Sequence, residues 1–280
     1  MARGGPDWSC CVRTEEAMCV ARGDLQGKVA LVSGGTAGVG LEAARRLAAR
    51  GAAVLITGRT KARGEEALEQ LGATSSDVRF VLADAGDPAE MAGVVESLAA
   101  EHGGGIDILI SAGAGHEVGP MPLAEMSAED IRIAFDTRFY PRIFPVHAAI
   151  PALRVRGGSV VMLTTDAARY PTPGECVMGA AGAAVILMTK AMARELSRWH
   201  IRVNSVSMTI TSDTPSWDRI FADASFQNRL FSKAVERFPQ GRPPTAGEVA
   251  DVVTFLACDE SAQVSGQTLS ANGGLSFGGW

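Results

Sequence analysis

Seven short apolar runs, rich in β-branched residues, recur along this chain: Val29–Val32, Ala53–Thr57, Val78–Leu82, Ile106–Ile110, Val160–Leu163, Ile201–Val206 and Thr268–Ser270. Each is too short for a buried helix and lacks the alternation of a half-exposed strand, so each reads as a strand covered on both faces. Amphipathic stretches of helical period lie between them, among them Leu41–Arg50, Ala62–Leu71 and Glu90–Glu101.

Strands alternating with helices predict an α/β fold with helices on both faces of one sheet. Right-handed crossovers make this a doubly wound, Rossmann-type domain with a mostly or wholly parallel seven-stranded sheet. No internal repeat or linker divides it, so a single domain is expected over residues 25–280. Residues 1–24 are Gly-, Arg- and Cys-rich without periodicity and are expected to form a loose extension. Residues 207–245 break the rhythm: Trp217, Ile220, Phe221, Phe226, Leu230 and Phe231 occur there without a strand pattern. This stretch reads as a helical insertion, either a lid over the strand C-termini or a packed surface excursion.

Composition excludes several classes. A net charge of −5 and a pI near 5.5 argue against a nucleic-acid partner. No uninterrupted apolar run approaches the roughly 20 residues that span a membrane, and the N-terminus lacks the apolar segment of a signal peptide. The cysteines Cys10, Cys11, Cys19, Cys176 and Cys258 form no C-x-x-C pair. A reduced, cytoplasmic protein without a metal site is therefore expected.

The first strand runs into Ser33-Gly34-Gly35-Thr36-Ala37-Gly38-Val39-Gly40. Glycines there let the backbone turn tightly and approach a ligand, and the following helix N-terminus offers free N–H groups to a pyrophosphate. A strand before and a helix after are the context that makes such a turn a dinucleotide site rather than a structural bend. Arg59, after the second strand, suits a ribose 2′-phosphate where an acid would suit NAD(H), so NADP(H) is expected, with NAD(H) the alternative. A solvated surface arginine is the competing reading. Asp84-Ala85 could meet an adenine edge, and Ala112-Gly113 form a small-residue turn that lets backbone approach the cofactor.

Together these residues resemble the short-chain dehydrogenase/reductase family. Ser33-Gly34-x-x-x-Gly38-x-Gly40 is similar to its glycine turn, Asp84 to its adenine-binding acid, and Ser111-Ala112-Gly113 to the end of its Asn-Asn-Ala-Gly motif. Ile201–Val206 resembles its sixth strand and Gly266-Gln267-x-x-x-x-Asn272-Gly273-Gly274 its closing strand. The resemblance implies a Ser, Tyr, Lys and Asn catalytic set, in which tyrosine protonates the carbonyl oxygen as hydride arrives, and a homodimer or homotetramer.

The chain departs from that set throughout. Its only tyrosines, Tyr140 and Tyr170, have Phe144 and Gly174 four residues on, and the lysines are Lys28, Lys61, Lys190 and Lys233. Matching the helix Ala183–Lys190 to the family puts Met178 at the tyrosine position and Gly182 at the lysine position. Thr165 then stands for the serine and Arg138 for the asparagine. Met208-Thr209 replaces a Pro-Gly, and Pro141 and Pro145 are expected to kink the helix that carries Arg138. Neither methionine nor glycine can act as a general acid, so the usual machinery reads as removed rather than displaced.

Four residues near the strand C-termini could substitute: Thr165, Arg138, Asp166 and His116. Arg138 could hold a carboxylate or enolate, or pair with Asp136 or Asp166. Asp166 or His116 could move a proton, although a loop histidine is more often ordinary. Glu175 and His147 have no stronger claim than solvated or packed residues. The sequence thus predicts an atypical member that binds NADP(H) and acts on a carbonyl-bearing small molecule, by a non-standard acid/base or a non-redox proton transfer, elimination or cyclisation. A catalytically inactive regulatory partner is the alternative, and an ordinary carbonyl reductase comes third.

Overall fold

A computed structural model describes residues 24–72 and 77–277. The loose extension expected for residues 1–24, with Cys10, Cys11 and Cys19, lies outside these residues except for Asp24, whose carboxylate accepts from Arg50 Nε at 2.9 Å.

The strands are β1 (Val29–Ser33), β2 (Ala53–Gly58), β3 (Val78–Leu82), β4 (Ile108–Ser111), β5 (Gly158–Thr165), β6 (Ile201–Met208) and β7 (Thr268–Ala271). The helices are α1 (Gly38–Ala49), α2 (Lys61–Gly72), α3 (Pro88–Glu101), α4 (Ala128–Leu153), α5 (Cys176–Leu196), α6 (Pro215–Phe221), α7 (Phe226–Val235) and α8 (Ala246–Ala257). The sheet runs β3-β2-β1-β4-β5-β6-β7 with every pairing parallel.

Strand β1 shows why continuous apolar runs were needed. Ala30 and Val32 point into a core shared with α1, α2 and α8, while Val29 and Leu31 point into a second core shared with α3, α4 and α5. Successive side chains leave opposite faces of a strand, so both faces demand apolar residues. Each fully buried aliphatic side chain contributes about 1.5–3 kcal/mol of transfer free energy. The segment Cys176–Trp199, built on α5, is long and apolar enough to cross a membrane by length and composition alone. Here it is a core helix, packed against α4, β5 and β6.

Strand order reverses at β1, whose neighbours are β2 and β4, and the crevice that a ligand enters in such sheets opens at their C-terminal ends. Helices α6 and α7 occupy the stretch after β6. Ile210, Ile220 and Phe238 form a small buried cluster there, backed by Trp217, Phe221, Phe231, Val235 and Leu275.

Candidate active site

The glycine turn is shaped by close approaches. Gly34 has φ +76°, and a Cβ on it would stand 2.6 Å from the Gly113 nitrogen. A Cβ on Gly40 would stand 2.2 Å from the Gly34 carbonyl oxygen, so no larger residue fits there. Helix α1 starts without a side-chain cap and without an acid in its first turn, leaving its N–H groups and positive dipole end open. Gly34, Thr36, Gly38, Val39 and Gly40 line a cavity of about 1140 Å³. Ser33 and Gly35 belong to the turn but not to that wall: Ser33 Oγ is buried without a hydrogen-bond partner among the described residues, and Gly35 backs onto Ile56.

Arg59, Asp84, Ala85, Ala112 and Gly113 all reach the same wall. Arg59 is not free there: its Nη1 donates to Glu117 Oε1 at 2.8 Å. Arg63, one turn into α2, lines the cavity beside it and was not singled out from sequence. Asp84 accepts the Gly86 amide at 2.8 Å, which fixes the turn after β3. An uncapped helix end and a glycine cradle fit the pyrophosphate of a dinucleotide.

Helix α4 begins at a capping box: Ser127 Oγ accepts the Asp130 amide and Asp130 accepts the Ser127 amide. It then runs unbroken through Pro141, Pro145 and Pro151. A proline lacks the N–H that would bond the carbonyl four residues earlier. Two of the carbonyls so released are taken by the β4 loop: Gly115 N donates to Thr137 O at 2.8 Å, and Ser111 Oγ donates to Pro141 O at 3.3 Å. The prolines thereby tie the loop carrying His116 to the helix carrying Arg138.

Arg138 makes neither of the pairings expected for it. Its Nη2 donates to Val118 O at 3.3 Å, its Nε has no partner, and it forms no ion pair among the described residues. One turn further on, Arg142 donates to the carbonyls of Leu163 and Arg138 and, among the described residues, to no carboxylate. Both arginines keep some surface because the cavity is open space, but protein on the other sides strips their water, and that burial lowers both pKa values.

Helix α5 presents Glu175, Met178 and Gly182 to the cavity. Glu175 is the N-cap residue of α5, and Met178 and Gly182, four residues apart, share one face of the helix. Met178 is buried, and a Cβ on Gly182 would meet Thr165 Cγ2 at 2.8 Å and Thr164 Oγ1 at 3.0 Å. Burial pushes the Glu175 carboxyl up to about 7; the Arg138 charge opposes the rise and Asp166 adds to it. Thr165 lines the cavity, with Oγ1 accepting the Ala167 amide at 3.3 Å.

Asp166 is differently engaged. Its two oxygens accept from Ser207 Oγ at 2.7 Å, Asn272 Nδ2 at 2.6 Å and Ser276 Oγ at 2.8 Å. Three donors make it an anchor between β5, β6 and the segment after β7. His116 stands at the cavity mouth, where loss of water and then the charges of Arg219 and Arg138 push it down to about 4, against the pull of Glu117. A lowered pKa favours the neutral imidazole near pH 7. From the insertion, Thr214 packs over the glycine turn, 3.1 Å from where a Cβ on Gly38 would stand, and Arg219 joins the cavity wall.

Sequence reasoning set Glu175 aside as solvated or packed and did not single out Arg142, Arg63 or Arg219. Glu175 and Arg142 carried one usable signal, a spacing of three or four residues from Met178 and Arg138 on helices already assigned to the site.

The comparisons agree with this frame. A family model described as enoyl-(acyl carrier protein) reductase matches residues 34–276. The chain is 30% identical over 253 residues to a 3-oxoacyl-(acyl-carrier-protein) reductase of Thermotoga maritima, covering 90% of this chain and 98% of that one. It is 28% identical to a 2,3-dihydroxy-2,3-dihydro-p-cumate dehydrogenase of Pseudomonas putida, covering 89% and 95%. A solved structure of a short chain dehydrogenase/reductase family protein superposes with a TM-score of 0.75 at 37% identity, covering 89% of this chain and 97% of that chain. Another, from Mycobacterium ulcerans, gives a TM-score of 0.81 at 27% identity over 89% and 90%. The chain belongs to the short-chain dehydrogenase/reductase family, whose matched members here are reductases and dehydrogenases.

Proposed function

We propose that this protein is an NADP(H)-dependent oxidoreductase for a carbonyl-bearing small molecule, in which Glu175 carries the proton that the family assigns to tyrosine. The observation that supports it most is the Glu175 carboxyl on the cavity wall, one helical turn before Met178 and beside the Arg138 charge. A general acid works best with a pKa near the working pH, and such catalysis is worth about 10²–10⁴-fold.

Gly34, Gly38 and Gly40 with the α1 N-terminus would hold the pyrophosphate, Arg59 and Arg63 the 2′-phosphate, and Asp84 the adenine. When bound, the nicotinamide supplies a hydride to the carbonyl carbon and is itself oxidised. Glu175 gives its proton to the carbonyl oxygen as the C=O π bond breaks and an alcohol forms. The carboxylate left behind is stabilised by Arg138 and takes its next proton from water. Thr165 hydrogen-bonds the carbonyl. A cytoplasmic homodimer or homotetramer follows from family resemblance.

A second reading has its own support: Gly182 is closed in by Thr164 and Thr165, so this position of α5 has no room for a lysine side chain, which suits a non-redox reaction or a regulatory subunit. Fluorescence titration with NADPH, followed by its oxidation in the presence of aliphatic ketones and oxo acids, separates the two. Micromolar binding with oxidation supports the oxidoreductase. Binding without oxidation supports the second reading, and no binding removes both.

A further inference from the structure

The cavity concentrates positive charge that the protein does not neutralise. Arg138 has an unpartnered Nε and no carboxylate in ion-pair range among the described residues. Arg142, one turn further along α4 and half-buried, leans only on carbonyl oxygens among the described residues. Arg219 reaches in from α6, and its charge and that of Arg138 both bear on His116.

Of the acids on the wall, Asp136 and Asp223 form no ion pair with these arginines among the described residues, and three others are engaged or disfavoured. Glu117 is paired with Arg59, and Asp166 is saturated by Ser207, Asn272 and Ser276. Glu175 is disfavoured as an anion by its own burial. A buried charge without a counterion costs several kcal/mol, so an arrangement of this kind is stable chiefly when something anionic arrives. The fork of a guanidinium matches a carboxylate in two parallel hydrogen bonds. Around the cations the wall is apolar, with Met178, Ile210, Ile220, Leu230 and Phe231. The cavity of about 1140 Å³ exceeds the roughly 300–1,000 Å³ of a site for one small ligand, which leaves room beside a dinucleotide.

We propose that Arg138, assisted by Arg219, is a carboxylate-binding site, and that the substrate is an aliphatic oxo acid whose hydrocarbon chain lies against the insertion. The carboxylate on Arg138 places the rest of the molecule along the α5 wall, where Glu175 stands. The assignment of a substrate rests on the oxidoreductase reading; the carboxylate site itself does not.

Calorimetric titration of the full chain, without cofactor, with 2-oxooctanoate and with its methyl ester tests the site directly. The ester lacks the negative charge and carries one added methyl. The wild type is expected to bind the acid at least tenfold more tightly than the ester. Arg138→Gln should abolish that preference by weakening the acid at least tenfold more than the ester, and Arg138→Lys should restore part of it. Should Arg138→Gln fail to fold by circular dichroism, Arg219→Gln must shrink the preference. The acid, and not the ester, should also raise the pKa of the His116 imidazole followed by NMR, because the anion offsets the two arginine charges. Equal affinity for acid and ester, no binding of either, or a preference that survives Arg138→Gln overturns the proposal. An intact preference with no NADPH oxidation overturns the oxidoreductase reading and leaves the carboxylate site standing.

Discussion

Asn272 Nδ2 donates to Asp166 Oδ2 at 2.6 Å across 106 residues of chain. Ser276 Oγ bonds the same oxygen at 2.8 Å and Ser207 Oγ the other at 2.7 Å. Asp166 is therefore the knot that fastens the segment after β7 to the ends of β5 and β6.

Replacing Asp166 by Asn sets an amide donor against these donors and leaves buried groups unpaired. We expect a loss of about 2–4 kcal/mol in denaturant unfolding. Ser276→Ala, which removes the bond to Asp166 and the longer one from Asn272 at 3.1 Å, should lose about 1–2 kcal/mol. The pH profile of any residual turnover should be that of the wild type, because Asp166 holds structure and not the transferred proton. An Asp166→Asn protein of unchanged stability and altered pH profile would return Asp166 to catalysis.

Gly182 stands where a side chain has no room: the Cβ would meet Thr165 Cγ2 at 2.8 Å. Gly182→Ala should therefore cost about 1–3 kcal/mol despite the better helix propensity of alanine. Thr165→Ser removes that methyl, so the double variant should recover at least about 0.5 kcal/mol of the loss, read from a double-mutant cycle in urea. Additive losses would show that Thr165 is not what fills the space.

Arg59 and Glu117 hold each other at 2.8 Å in the mouth of the proposed 2′-phosphate site. Freeing the arginine should help a phosphate, so Glu117→Gln should tighten NADPH binding by several-fold and leave NADH unchanged. Arg59→Ala should lose about tenfold for NADPH alone, as expected for one charge-assisted contact. Fluorescence titration with both nucleotides checks each; an equal effect on NADH would remove Arg59 from phosphate recognition.

Glu175 makes stability depend on pH. Its ordinary pKa is 4.5 and its folded value about 7, so the folded protein holds a proton that the unfolded chain has released between those values. The stability linked to this proton is full below pH 4.5 and is lost as pH rises through 7, by up to about 3 kcal/mol. Unfolding curves at pH 5 and pH 8 for the wild type and Glu175→Gln measure it, and the variant should lose this part of the difference.

The sheet was legible because its evidence is local. The Val29–Ser33 run needs both faces covered, and Gly34 and Gly40 stand where only glycine fits, so strand, turn and helix can be read within a dozen residues. The site was less legible because its meaning is set by distant neighbours. Asp166 looked like a free carboxylate until residues 41 to 110 positions away closed on it. Arg59 looked like a free phosphate ligand until Glu117, 58 residues on, met it. Glu175 looked like a solvated acid because nothing near it in sequence reveals how α4 brings Arg138 beside it. We propose that Met178 and Gly182 stand at the family's tyrosine and lysine positions and that the proton carrier stands three residues before Met178, at the N-cap of α5.

The most direct test is the pH dependence of single-turnover NADPH oxidation by the wild type and by Glu175→Gln, with the best carbonyl substrate from the ketone and oxo-acid panel. Reduction needs protonated Glu175, so the wild-type rate should fall as pH rises through about 7. The variant should bind NADPH normally, lose about 100-fold in rate and show no limb near pH 7. A Glu175→Gln protein that keeps both the rate and the limb would contradict the account.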